Sequence, residues 1–107
     1  MLVTESNFWI ALSGYPAATQ DVSVVVGDDV VAGDVAAALV EGAGELLESL
    51  RLVDDYRGQG LAEGTKSLTF ALRFRAPDRT LTAAEATEAK LQGVAVASER
   101  FGATIRE

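Results

Sequence analysis

The chain has 107 residues, 9 Lys+Arg against 16 Asp+Glu for a formal net charge of −7, and neither cysteine nor histidine. That length suits one domain, and 49% hydrophobic residues is too apolar for disorder. The missing residue types exclude zinc fingers, iron–sulfur and haem sites, disulfide frameworks, and Cys–His or Ser–His–Asp catalysis.

Residues 1–14 read as a lead-in carrying Phe8, Trp9 and Ile10, closed by Ser13-Gly14-Tyr15-Pro16. A linker, an edge strand and a tail that packs back all fit it, and the domain proper is expected over 15–107. The start lacks the basic residues of a secretory signal. No apolar run approaches the roughly 20 residues of a membrane span, so a cytoplasmic domain without membrane contact is expected.

Residues 21–26 are β-branched and alternate, predicting a strand that Gly27-Asp28-Asp29 ends. The two acids are placed to cap the following helix. A helix is predicted from 32 to 49: Val35, Ala38, Leu39, Ala43, Leu46, Leu47 and Leu50 recur at spacings of three and four, the stripe of a half-buried helix. Gly42 and Gly44 weaken it by about 1 kcal/mol each relative to Ala and suit close approach to a sheet.

A second strand is predicted over 50–56, followed by a loop with Gly58, Gly60 and Gly64. Residues 67–75 alternate most clearly. Leu68, Phe70, Leu72 and Phe74 take one face, and Thr69, Ala71, Arg73 and Arg75 the other. After a turn at 76–79, Thr82 and Glu85 fit a capping box, opening a helix that runs to Phe101 with Gly102 as C-cap. Residues 103–106 form a short last strand. The order β-α-β-β-α-β is the α+β ferredoxin-like arrangement, a four-stranded antiparallel sheet with two helices on one face.

The net charge is unevenly spread. From Arg51 to Arg79 there are six basic and four acidic residues, a local +2, leaving −9 elsewhere. From charge alone, chance and solvated faces account for that better than an anion-facing patch does. Arg73 and Arg75, two residues apart on a strand, lie about 7 Å apart, near the spacing of successive phosphates. Pairing of their heads to acids on a neighbouring strand meets the same pattern. The glycine loop, flanked by Arg57 and Lys66, admits a ligand but lacks the Walker A ending. Asp54 and Asp55 diverge on a strand, as do Lys66 and Ser67, so no catalytic set emerges.

Several short motifs occur in a telling order. They are Pro16 with Asp21, Leu46-Leu47-Glu48, Asp54-x-Tyr56-x-Gly58, Lys66-Ser67 and Arg79-Thr80-Leu81-Thr82. Together, from Tyr15 onward, they resemble the ferredoxin-fold anticodon-binding domain that ends the β subunit of bacterial phenylalanyl-tRNA synthetase, in its actinobacterial-like version. The resemblance implies a module without chemistry or cofactor of its own, binding the anticodon region of tRNA(Phe). ATP and Mg2+ would be used elsewhere in an (αβ)2 parent containing the rest of the β subunit and the α subunit. Asp21, Tyr56, Arg57, Lys66 and Ser67 carry over as RNA-contacting residues, and face geometry adds Arg73 and Arg75. Tyr56 suits base stacking or anchoring of its hairpin. Where many family members have Arg before the first-strand Asp, this chain has Gln20, which implies one RNA contact fewer. The alternative is a ferredoxin-like regulatory or protein-interaction module without RNA binding; an acylphosphatase-like enzyme is disfavoured because its phosphate-cradling loop after strand one is absent.

Overall fold

The computed structural model describes residues 15–106; the expected lead-in lies outside them. Strand β1 (Ala18–Gly27) leads to helix α1 (Ala32–Ala43) and a single 3-10 turn (Gly44–Leu46). Then come β2 (Leu47–Tyr56), β3 (Thr65–Phe74), helix α2 (Ala83–Phe101) and the two-residue β4 (Thr104–Ile105). The strands form one antiparallel sheet in the order β2-β3-β1-β4, and the architecture is the expected ferredoxin-like α+β fold.

Alternation on the two central strands sets the layers. Val22, Val24 and Val26 on β1 and Leu68, Phe70, Leu72 and Phe74 on β3 are buried beneath the helices, against Val35, Leu39 and Ala86. Their register, with Val22 opposite Phe70 and Val24 opposite Leu68, puts both apolar rows on the same side. Residues of the other parity, including Asp21, Ser23, Thr69 and Arg73, therefore face away from the helices.

Strand β2 forms the sheet's outer edge and carries two irregularities. An extra residue enters at Glu48, between the pairs Leu47–Phe74 and Ser49–Arg73, and another at Val53, between Leu52–Phe70 and Asp54–Thr69. Such bulges re-aim side chains and increase local twist.

The first helix is shorter than its apolar spacing predicts. It ends at Ala43, because Gly44 takes φ +80°, a backbone that continues no helix, and its N–H bonds back to the Val40 carbonyl. Leu46, Leu47 and Leu50 still pack on the core, but from the 3-10 turn and β2. Their spacing mimicked a continued helix because the chain reverses onto the same apolar layer. Asp28 and Asp29 do not cap α1; its N-cap is Val31, without a side-chain hydrogen bond.

Gly42 faces the other helix instead of the sheet. A Cβ there would lie 2.4 Å from the Gln92 carbonyl oxygen and 2.7 Å from Gly93 Cα, and one on Gly93 would lie 2.7 Å from the Leu39 carbonyl oxygen. The two glycines let the helix backbones touch. Arg100 of α2 donates to Glu41 of α1 at 2.7 Å across the same pair. The capping box forms as predicted: Thr82 Oγ1 accepts from the Glu85 N–H at 3.1 Å, and Glu85 Oε1 accepts from the Thr82 N–H at 3.0 Å. Gly102 closes the helix in the left-handed conformation.

Candidate nucleic-acid interface

Among the described residues both helices lie on one side, and no element covers the opposite, open face of the sheet. Toward one end this face holds a shallow concavity of about 300 Å³ lined by Thr19 and Asp21 from β1, Ala71 and Arg73 from β3, and Ser49 and Arg51 from β2. The register explains the grouping, since Arg73 pairs with both Thr19 and Ser49, and Ala71 with both Asp21 and Arg51. Arg51 has no hydrogen-bond or ion-pair partner among the described residues, so its guanidinium is available to a ligand.

Toward one end of the face, Arg73 and Arg75 converge on Glu48. Arg73 Nε donates to one carboxylate oxygen at 2.9 Å and Arg75 Nε to the other at 2.8 Å. Arg75 also donates to the Tyr15 carbonyl. The Arg75 hydrogen bond holds the Glu48 carboxyl below the ordinary glutamate range; partial desolvation opposes it, and Arg73 adds to the lowering. Pairing with an acid on the neighbouring strand is thus realised, and both arginines do lie on the open side.

The other end is closed by Tyr56, Arg106 and the β2–β3 loop. The Arg106 backbone N–H donates to the Ser23 carbonyl, beyond the last β1–β4 pairs, and its side chain crosses the open face to stack on the Tyr56 ring, 5.1 Å from the centroid. The Tyr56 hydroxyl donates to the Gln59 carbonyl at 2.7 Å, anchoring the loop. Ser67, in register between Val25 and Tyr56, is buried at this end. Ser23 and Thr69 share a 2.6 Å hydroxyl hydrogen bond nearer the middle.

The sequence-derived residues therefore separate. Asp21, Arg73, Arg75 and Tyr56 share the open face, with Ser67 beneath its far end. Arg57 lies past the end of β2, paired with Asp55 at 3.2 Å. Lys66 has the parity of Leu68 and belongs to the helix side; it is 5% exposed, with no ion-pair partner among the described residues. Arg79, the last of the middle-segment cations, is held at the start of α2 by Glu85 at 2.7 Å.

Gln20 also belongs to the helix side. Its amide Nε2 donates to Thr87 Oγ1 at 3.0 Å and to the Ala83 carbonyl at 3.4 Å, both on α2. A residue here points away from the open face, so glutamine in place of arginine costs that face no contact. Two face residues escaped the sequence reading, Arg51 and Arg106. Only the register across β2 and the path of the last strand bring them into the group.

A family model described as "Ferredoxin-fold anticodon binding domain" matches residues 13–106. The chain belongs to the ferredoxin-fold anticodon-binding domains. It is 69% identical over 96 residues to a protein of Leifsonia xyli subsp. xyli named phenylalanine–tRNA ligase beta subunit. Proteins of the same name from Streptomyces avermitilis and Corynebacterium glutamicum are 58% and 52% identical over 95 residues. The alignments cover 90%, 89% and 89% of this chain but only 11% of each relative, so the chain spans about a ninth of the length of the curated relatives it matches. This anticodon-binding domain thus corresponds to a small, non-catalytic part of those ligase subunits. Among the described residues there is no group of three or more acidic, His or Cys side chains able to hold a metal ion, and no helix long and apolar enough to cross a membrane.

Proposed function

We propose that the open face binds the anticodon region of tRNA(Phe), so that the domain positions the tRNA for aminoacylation by catalytic machinery in the rest of a phenylalanine–tRNA ligase. The observation that carries the reading is the gathering of Arg51, Arg73 and Arg106, with Tyr56, on one helix-free sheet face of a chain whose net charge is −7. Local positive groups orient a polyanion that the remaining surface repels, which suits an accessory contact of modest affinity. Asp21, within the concavity, accepts hydrogen bonds from a base edge and does not compete for phosphates. Tyr56 offers a ring for stacking once Arg106 moves toward a phosphate. Arg57 and the buried Ser67 are peripheral, and Lys66 is outside the face.

The parent enzyme is read as a cytoplasmic (αβ)2 assembly whose catalytic part uses ATP and Mg2+; this domain needs neither. The deciding experiment is an anisotropy titration of labelled tRNA(Phe) beside a non-cognate tRNA at several salt concentrations. With about three phosphates engaged, log K should fall against log salt with a slope near −2 to −3. Equal binding with Arg51, Arg73 and Arg106 all changed to Ala would refute the assignment. A second reading, a protein-interaction module, is favoured by Leu52 and Val53, large apolar side chains more than two-fifths exposed on edge strand β2. Self-association abolished by L52S, with no tRNA binding, would support it instead.

A further inference from the structure

Glu48 occupies the spot on the open face where an incoming anion would bind, and the fold places it there deliberately. The bulge in β2 sets Glu48 and Ser49 together opposite Arg73, turning an extra carboxylate onto this side. The two arginines it touches are not equivalent. The Arg75 side chain is 18% exposed and is also tied to the Tyr15 carbonyl, making it a fixed post. The Arg73 side chain is 49% exposed, and Glu48 is its one partner among the described residues. Arg75 therefore holds the carboxylate, and the carboxylate covers Arg73.

We infer that Glu48 is an internal competitor for Arg73 that sets which anions the face accepts: a polyanionic strand gripped at several points displaces it, and a lone phosphate does not. The inference rests on the RNA-binding reading of this face. Exchanging one exposed ion pair for another is nearly balanced in free energy. A tethered carboxylate has the advantage of proximity over any free monoanion. Only a ligand that also engages Arg51 or Arg106 carries enough additional contact to tip the exchange. Glu48, like any glutamate, is ionised at neutral pH, so the competitor is always present.

The test uses the 107-residue chain, its E48Q, R73A and E48Q/R73A variants, and E88Q as a charge-matched control on α2. Two probes are used: fluorescein-labelled tRNA(Phe), followed by anisotropy, and inorganic phosphate, followed through the Arg73 Nε–Hε signal in 15N NMR. E48Q should bind the tRNA about three- to tenfold more tightly and let millimolar phosphate shift the Arg73 signal, which stays unmoved in the parent chain. The gain should vanish in E48Q/R73A and be absent in E88Q. Unchanged or weaker tRNA binding by E48Q, an equal gain in E88Q, or a gain surviving the loss of Arg73 overturns the inference. If no variant binds tRNA, the RNA-binding reading fails, and the phosphate arm alone decides: an Arg73 shift confined to E48Q sustains the competitor, and identical signals refute it.

Discussion

Gly42→Ala offers a sharp test of how the helices pack, because two effects of opposite sign meet at one residue. In an exposed helix the change would stabilise by about 1 kcal/mol, through intrinsic propensity alone. Here the new methyl would lie 2.4 Å from the Gln92 carbonyl oxygen, 2.7 Å from Gly93 Cα and 2.8 Å from Val96 Cγ2. Two of the three obstacles are backbone, so relief requires the helices to separate. Overpacking of that kind costs about 1–3 kcal/mol, and the rigid contacts place this site at the upper end. The net expectation is a loss of about 1–2 kcal/mol, or a fall in Tm of about 5–15 °C for a domain of this size. Gly33→Ala is the matched control, since nothing lies within 4 Å of a Cβ built there and the residue is exposed. It should raise stability by about 0.5 kcal/mol. Urea unfolding followed by far-UV circular dichroism measures both, with constant m-values as the check on two-state behaviour. Stabilisation by Gly42→Ala comparable to that by Gly33→Ala would refute the close helix contact. Gly93→Ala strikes the same contact from the other side, so the double variant should lose less than the two single losses combined.

Thr82→Ala removes the side-chain half of the capping box, the acceptor of the Glu85 N–H, and should cost about 1 kcal/mol by the same unfolding measurement. The depressed Glu48 carboxyl has a defined pH signature. Its pairing stabilises above the ordinary glutamate value of 4.5 and is lost as pH falls through the lower folded value. Urea midpoints of the parent chain and E48Q should therefore differ at neutral pH and converge in acid; a gap that widens on acidification contradicts the sign. Arg51→Ala should weaken tRNA binding and make the salt slope shallower by about 1, whereas Lys66→Met, altering a residue of the helix side, should leave the slope unchanged. Salt-series titrations compare the two directly.

Much of this architecture was legible because two signals agreed at each place. Leu68, Phe70, Leu72 and Phe74 alternate through most of a strand, and all four are buried, with Ser67 the one buried residue of the other parity. Thr82 and Glu85 announce a helix start through chemistry that needs only three residues of context. What escaped depended on partners distant in sequence. Leu46, Leu47 and Leu50 kept a helical spacing across a chain reversal, because burial against one layer does not record which backbone delivers a side chain. Lys66 and Arg57 looked equivalent to Arg73 by charge, but strand parity and the end of β2 send them elsewhere. Arg106 is five residues from the end of α2, and nothing local says that its side chain spans the sheet to Tyr56. Glu48 was visible only as part of a Leu-Leu-Glu motif; the bulge that aims it is a property of two strands together.

The irregularities of β2 have one more consequence. An edge strand exposes a ladder of unpaired amide and carbonyl groups, the template on which sheets of separate molecules fuse. Here the ladder is interrupted twice within ten residues, at Glu48 and Val53, and is studded with the exposed acids Glu48, Asp54 and Asp55. A second molecule laid alongside would fall out of step after a few hydrogen bonds and meet like charge. The insertion that aims a carboxylate at Arg73 therefore works with the one at Val53 against fibril growth, and deleting Val53, which removes one of the two interruptions, should make the domain more prone to aggregate.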